Sequence, residues 1–133
     1  MAERKILLVD DVDYTRQLLR NNIMAICQSG KIQHRNFTFY NAGKASAAMD
    51  LFSLQLPGIV FLDIELPDAS GLELLKKFKA LKPDCFIVMV SGVSTLDNVK
   101  QSIADGAASF IVKPFTGDKI LAALRLYERY LAQ

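Results

Sequence analysis

The sequence is poor in several of the residues from which sites are built. It has one histidine, His34, and two cysteines, Cys27 and Cys85. With no second histidine available as a phosphohistidine, a histidine kinase or a phosphotransfer helix protein is disfavoured. His34 itself, in the polar stretch GKIQHRN, reads as a solvated loop residue. The two cysteines lack metal-ligand spacing and are too few for a disulfide scaffold, so both read as small buried hydrophobes. No apolar run approaches the length of a membrane span. The opening MAERKILLVDD has an apolar stretch too short, and too soon acidic, for a signal peptide. The expectation is a cytoplasmic protein with no membrane contact. A net charge of only +2 is too small to point to direct nucleic-acid binding. Low-complexity segments, internal repeats and linkers are missing too.

What is present is a core. Hydrophobic residues make up 51% of 133 residues, enough for one packed domain spanning 1–133. Short apolar runs alternate with longer helical patterns. KILLVD (5–10), NFTFYN (36–41), GIVFLD (58–63), CFIVMVS (85–91) and ASFIVK (108–113) read as strands. Residues 13–27 carry Leu19, Ile23, Ile26 and Cys27 at helical spacing, and 43–55 carry Ala48, Leu51 and Phe52 on one side. Residues 72–81 form a third helix, stopped near Pro83. In 94–106, Leu96, Val99 and Ile103 are expected to point inward, with Ser94 or Thr95 as cap and Gly106 at the stop. Residues 116–132 close the chain as a helix with Thr116 as candidate cap. Five βα units with strands apolar on both faces predict a parallel sheet inside a three-layer α/β/α sandwich. In such a sheet, ligands sit beyond the carboxyl ends of the strands.

Those ends carry the chemistry. The first strand ends in Asp10 and Asp11, the third in Asp63, the fourth in Ser91 with Gly92 next, and the fifth in Lys113 with Pro114 next. The second ends in Tyr40 and Asn41, without charge. Parallel pairing brings three carboxylates, a hydroxyl and an ammonium to one crevice. Two like charges roughly 4 Å apart cost about 4 kcal/mol at an effective dielectric of roughly 20, and one lysine cannot neutralise three acids. A hard divalent cation can, and Mg²⁺ suits carboxylates with backbone oxygen and water. Cation, lysine and hydroxyl are also what a phosphoryl group needs around its oxygens, and a carboxylate can then act as nucleophile.

The pieces LLVDD, FLDIELPDASGLEL, VSG and FIVKPF, in this order and each at a strand end, resemble the receiver domain of bacterial response regulators. In overall length the chain is similar to the single-domain chemotaxis regulators of that family. The resemblance runs from about Lys5 to Leu131 and implies a flavodoxin-like (βα)5 fold with strand order 2-1-3-4-5. It implies that Asp63 is the phosphoacceptor and that Asp10, Asp11, Asp63 and the backbone carbonyl of Glu65 hold Mg²⁺. Ser91 corresponds to the switch hydroxyl, the Gly92 N–H to a phosphoryl contact, and Lys113 to the lysine that pairs with a phosphoryl oxygen. The Lys113–Pro114 bond is expected to be cis. Phe110 corresponds to an aromatic that changes rotamer on activation, without the phenolic hydroxyl often found there. Glu65, Val93 and Ser70 also depart from the common pattern, the first two at positions that tune phosphoryl lifetime.

The implied function is a two-component receiver. It takes a phosphoryl group from a sensor histidine kinase or phosphotransfer protein that docks near Asp13, Tyr14 and Gln17. It then acts on a downstream protein, or a second domain, through the fourth helix, fifth strand and last helix. Such a module is no enzyme beyond assisting its own phosphorylation and dephosphorylation. On the last helix, Ile120, Leu124, Tyr127 and Leu131 form an inward stripe. A second stripe of Ala122, Leu126 and Tyr130 admits a partner or a homodimer, or is merely a broad core face. Asp68 reads as loop surface able to tune metal or kinase contacts. Two other functions compete. DVDYT (11–15) fits the D-x-D-x-T signature of haloacid dehalogenase-like phosphatases, with Asp11 as nucleophile, but leaves Asp63 without a role. A phosphorylation-independent binding module of the same fold is opposed by the intact acidic cluster.

Overall fold

The computed structural model describes residues 4–33, 36–92 and 95–133; His34, Val93 and Ser94 lie outside the described residues. Strands and helices alternate: β1 Arg4–Val9, α1 Asp13–Ser29, β2 Phe37–Ala42, α2 Ala45–Gln55, β3 Ile59–Leu62, α3 Gly71–Leu81, β4 Phe86–Ser91, α4 Leu96–Ala104, β5 Ser109–Val112 and α5 Gly117–Leu131. All strand pairs are parallel, in the order β2-β1-β3-β4-β5, as the resemblance implies.

The period of two along each strand divides the core between the faces of the sheet. Ile6, Leu8, Phe61, Val88 and Val90 pack with Leu19 and Ile23 of α1 and Leu124 and Tyr127 of α5. Leu7, Val9, Val60, Leu62 and Met89 pack with Ala48 and Phe52 of α2 and Leu75 and Phe78 of α3. Phe52 and Phe78 stack at 4.0 Å between centroids, locking α2 to α3. The inner strands β3 and β4 are buried throughout, whereas β2 and β5 are edge strands and mostly half-buried. NFTFYN alternates apolar and polar residues, yet burial along β2 does not alternate, because both faces of an edge strand are only partly covered. Cys27 and Cys85 are free and buried, and burial pushes the Cys85 thiol up to about 12.

Two expectations need correction, and one open alternative is decided. On α4 the apolar residues do not all face inward: Leu96 is 67% and Ile103 50% exposed, Val99 is half-buried, and Ser102 is the helix's one buried residue. Helical spacing identifies a stripe but not what covers it, and here α4 turns that stripe partly to solvent. Thr116 does occupy the N-cap of α5, yet its side chain makes no capping bond; Thr95 does cap α4, accepting from the Asn98 N–H at 3.2 Å. Finally, Tyr130 belongs to the fold. Its ring lies 5.5 Å from that of Phe86 and its hydroxyl donates to the Asp84 carbonyl at 2.7 Å. Of the second stripe on α5, only Ala122 and Leu126 remain exposed.

Candidate functional site

Parallel register sets the site. Val9 pairs with Leu62, so the next residues, Asp10 and Asp63, leave the sheet side by side. The Asp63 N–H still donates to the Val9 carbonyl at 3.0 Å, and the Asp10 N–H to that of Ala42 at 3.1 Å. Ser91 pairs with Val112, and the Lys113 N–H donates to the Ser91 carbonyl at 2.9 Å, which starts the lysine on its way across the edge. The Lys113–Pro114 peptide is cis.

The lysine ammonium bridges two carboxylates, at 2.5 Å from Asp10 Oδ2 and 3.1 Å from Asp63 Oδ2. The Asp10 and Asp63 side chains are only 2% and 7% exposed, and that of Lys113 is 23% exposed. Their other oxygens are held locally: Asp10 Oδ1 accepts from the Val12 N–H at 2.9 Å, and Asp63 Oδ1 from the Glu65 N–H at 3.3 Å. Burial raises the pKa of Asp63, and the Asp10 charge adds to that, against the opposing pull of Lys113 and the Glu65 N–H. For Lys113 the largest single effect is burial, which lowers its pKa; the bonds and charges of Asp10 and Asp63 together outweigh it, so the ammonium is held charged.

Asp11 completes the cluster from a more exposed position, and carboxylate oxygens of Asp10, Asp11 and Asp63 all lie within 4.8 Å of one another. This donor set fits a hard divalent cation such as Mg²⁺: the oxygens are anionic, close together, and supplied with one cation for three charges. Bound there, Mg²⁺ would supply positive charge next to an incoming phosphoryl oxygen.

Other predicted residues stand around this centre. Ser91 is fully buried at the end of β4, Gly92 is exposed just beyond it, and Phe110 is half-buried against the α2/α3 side of the core. Glu65 forms an isolated antiparallel bridge with Ser70, which closes the β3–α3 loop; Ser70 also caps α3, accepting from the Leu72 N–H at 3.1 Å.

Sequence reasoning missed three supports. The Arg16 guanidinium donates to the Asp10 carbonyl and to Asp13 Oδ1, and so ties α1 to the loop that bears the acidic pair; the Asp13–Arg16 spacing on a helix was the available signal. Gly71 sits so tightly that a Cβ there would overlap the Asp63 carbonyl. Asp68, read as loop surface, is exposed but engaged: it accepts from the Ala45 and Ser46 N–H groups at 2.7 and 3.0 Å, joining the β3–α3 loop to the N-terminus of α2. Nothing in the local sequence marks that partnership, which spans more than twenty residues.

Residues 6–125 match the family model described as the response regulator receiver domain. The chain belongs to that family. This receiver domain is 32% identical over 120 residues to the chemotaxis protein CheY of Listeria monocytogenes, covering 90% of this chain and 94% of the relative. It is 31% identical over 127 residues to the C4-dicarboxylate transport transcriptional regulatory protein DctD of Rhizobium meliloti, covering 96% of this chain but only 26% of that protein, so it spans about a quarter of that relative. Among solved structures, the receiver domain of NtrX from Brucella abortus superposes with a TM-score of 0.77 at 32% identity, over 92% of this chain and 98% of that one.

Receiver domains are the phosphorylation-dependent signalling modules of two-component systems rather than classical enzymes. They bind Mg²⁺ at an acidic site and interact with histidine kinases or phosphotransfer proteins and with downstream targets. The phosphatase reading is not favoured: Lys113 bonds Asp10 and Asp63 rather than Asp11, and the family match runs through the whole site. Among the described residues, no helix is long and apolar enough to cross a membrane.

Proposed function

We propose that this chain, residues 1–133, is a single receiver unit that accepts a phosphoryl group on Asp63. The observation that carries the reading is the Lys113 ammonium bridging Asp10 and Asp63, with Asp11 alongside. An Asp63 carboxylate oxygen attacks the phosphorus of a phosphohistidine on a sensor kinase or phosphotransfer protein. As the O–P bond forms, the P–N bond breaks and its electron pair stays on the leaving imidazole. Lys113 turns from Asp63 to a phosphoryl oxygen, while the Ser91 hydroxyl and the Gly92 N–H donate to the others. Asp10, Asp11, Asp63 and the Glu65 carbonyl are the residues that would hold Mg²⁺. The donor docks beside α1, where Asp13, Tyr14 and Gln17 are exposed.

Phosphorylation then draws on Ser91 and Phe110 to bias the surface of α4, β5 and α5 between two states. That surface already shows exposed Leu96, Ile103 and Val112. Its occupant is a downstream protein or an attached second domain, in the cytoplasm; a homodimer is the alternative. A Leu126→Glu variant that changes neither oligomeric state nor partner binding would remove Leu126 from this surface.

The test of the site is intact mass after incubation with Mg²⁺ and acetyl phosphate. Wild type gains one phosphoryl group; Asp63→Asn, or wild type with chelator, gains none. A gain that survives Asp63→Asn but is lost in Asp11→Asn would overturn the assignment.

A further inference from the structure

The sheet has a second edge, at the amino ends of its strands. Where β1 and β3 begin lies a concavity of about 470 Å³, on the opposite side of the sheet from Asp63. Arg4, Lys5 and Lys82 line it together with Leu56, Gly58 and Tyr127, and among the described residues none of its lining is acidic. The cations there are only partly satisfied. Lys5 Nζ reaches the carbonyl and the side-chain oxygen of Gln55, both neutral and both at 3.3 Å. Arg4 hydrogen-bonds the hydroxyl of the buried Tyr127. That hydroxyl can reach the concavity because position 58 is glycine: a Cβ there would stand 2.6 Å from Tyr127 Oη. Lys82 does pair with a carboxylate, Asp84, at 3.0 Å, but the Asp84 side chain is 75% exposed and lies outside the lining.

Three cations facing one hollow repel one another, and an anion with several oxygens relieves them all. A guanidinium beside two ammonium groups matches phosphate oxygens in number and charge. The size suits a small molecule rather than a polymer. A larger hollow of about 760 Å³ beside the end of α1 also holds Lys31, Arg125 and Arg129, but its wall includes the carboxylate of Glu128, which accepts the Gln33 N–H at 2.6 Å. Among the described residues, the hollow at β1 and β3 has no such built-in anion.

We infer that this amino-edge concavity binds a small phosphate-bearing ligand through Arg4, Lys5 and Lys82, independently of the acceptor site. The ligand is a diphosphate, free or as part of a nucleotide, with Leu56 offering an apolar rim to a base in the second case.

The experiment is a ¹H–¹⁵N NMR titration of the full chain with inorganic pyrophosphate, and in a second arm with ADP, at physiological ionic strength and with chelator present. Chelator keeps the acidic edge unfavourable to anions. Saturable shifts are expected at Lys5, Leu56, Gly58 and Lys82, with a midpoint below about 1 mM. The variant Arg4→Gln/Lys82→Gln weakens binding at least tenfold, and Lys100→Gln on α4 leaves it unchanged. Tighter binding of ADP with a larger Leu56 shift assigns a nucleotide; equal binding assigns the diphosphate alone. Shifts that never saturate, that spread over exposed lysines generally, or that persist in the double variant overturn the inference. If the double variant loses its dispersed spectrum, Lys82→Gln alone carries the same test.

Discussion

At the carboxyl edge of the sheet one ammonium stands between buried carboxylates; at the amino edge Arg4, Lys5 and Lys82 stand around a hollow with no acid among its described lining residues. Lys113 and Lys82 show the contrast, because their side chains are almost equally exposed. Lys113 meets Asp10 and Asp63, both nearly sealed from water. Lys82 meets Asp84, which water already solvates. A cation's worth to the fold is thus set by its partners' burial more than by its own.

Removing each lysine separates the two cases. Lys113→Met leaves two buried carboxylates facing each other with Asp11 nearby, and should destabilise the protein by about 3 kcal/mol in urea unfolding. Lys82→Met removes a surface pair and relieves repulsion with Arg4 and Lys5, so its effect should stay within about 1 kcal/mol. Added Mg²⁺ should recover part of the Lys113→Met loss and none of any Lys82→Met loss, since only the first leaves carboxylates in want of a cation. Equal losses in the two variants would erase the distinction between the edges.

The glycines repeat the contrast on a smaller scale. A Cβ at Gly71 meets the backbone of Asp63 and Ile64, which the sheet holds in place. A Cβ at Gly58 meets only the end of the Tyr127 side chain. Gly71→Ala should therefore cost about 2 to 3 kcal/mol and slow phosphoryl uptake as the acceptor shifts, whereas Gly58→Ala should cost about 1 kcal/mol and leave uptake intact. Thermal unfolding and the mass assay with acetyl phosphate read the two effects apart. A reversal of that order would mean that the Tyr127 hydroxyl is anchored more firmly than the acceptor loop.

The carboxyl edge was far more legible in the sequence than the amino edge, and the reason is physical. A parallel sheet brings together whatever follows each strand, so VD, LD, VS and VK at the ends of apolar runs already place Asp10, Asp63, Ser91 and Lys113 on one line. Residues that begin strands converge just as surely, but Arg4, Lys5 and Lys82 resemble ordinary solvated lysines and arginines, and Tyr127 enters from a helix far along the chain. Periodicity likewise found the inward residues of α1 and α5, where a continuous sheet face receives the stripe. It misjudged α4, because this helix lies toward the β5 edge and part of its stripe has no sheet to cover it. Backbone partnerships such as Asp68 with α2 leave no periodic trace at all.

Asp68 separates location from burial. It belongs to the carboxyl edge by position, but it is exposed and its partners are the backbone N–H groups of Ala45 and Ser46. These bonds hold its carboxyl below the ordinary value of 3.8, as expected for an acid at a helix N-terminus. A carboxyl depressed in the folded state stabilises the fold fully above its unfolded value, and that contribution disappears as pH falls through the lower, folded one. Asp68→Ala should accordingly melt below wild type at neutral pH, with a gap that persists down to the ordinary carboxylate range and closes as pH falls on through the lower, folded-state value. Asp68→Asn, which keeps one good acceptor oxygen, should fall between the two at neutral pH. The whole effect should be smaller than that of Lys113→Met, because water screens and replaces what Asp68 supplies. A gap that stays constant into acid would assign Asp68 to packing instead of charge. A gap as large as the Lys113→Met loss would mean that position at the carboxyl edge, rather than burial, governs what a charge contributes there.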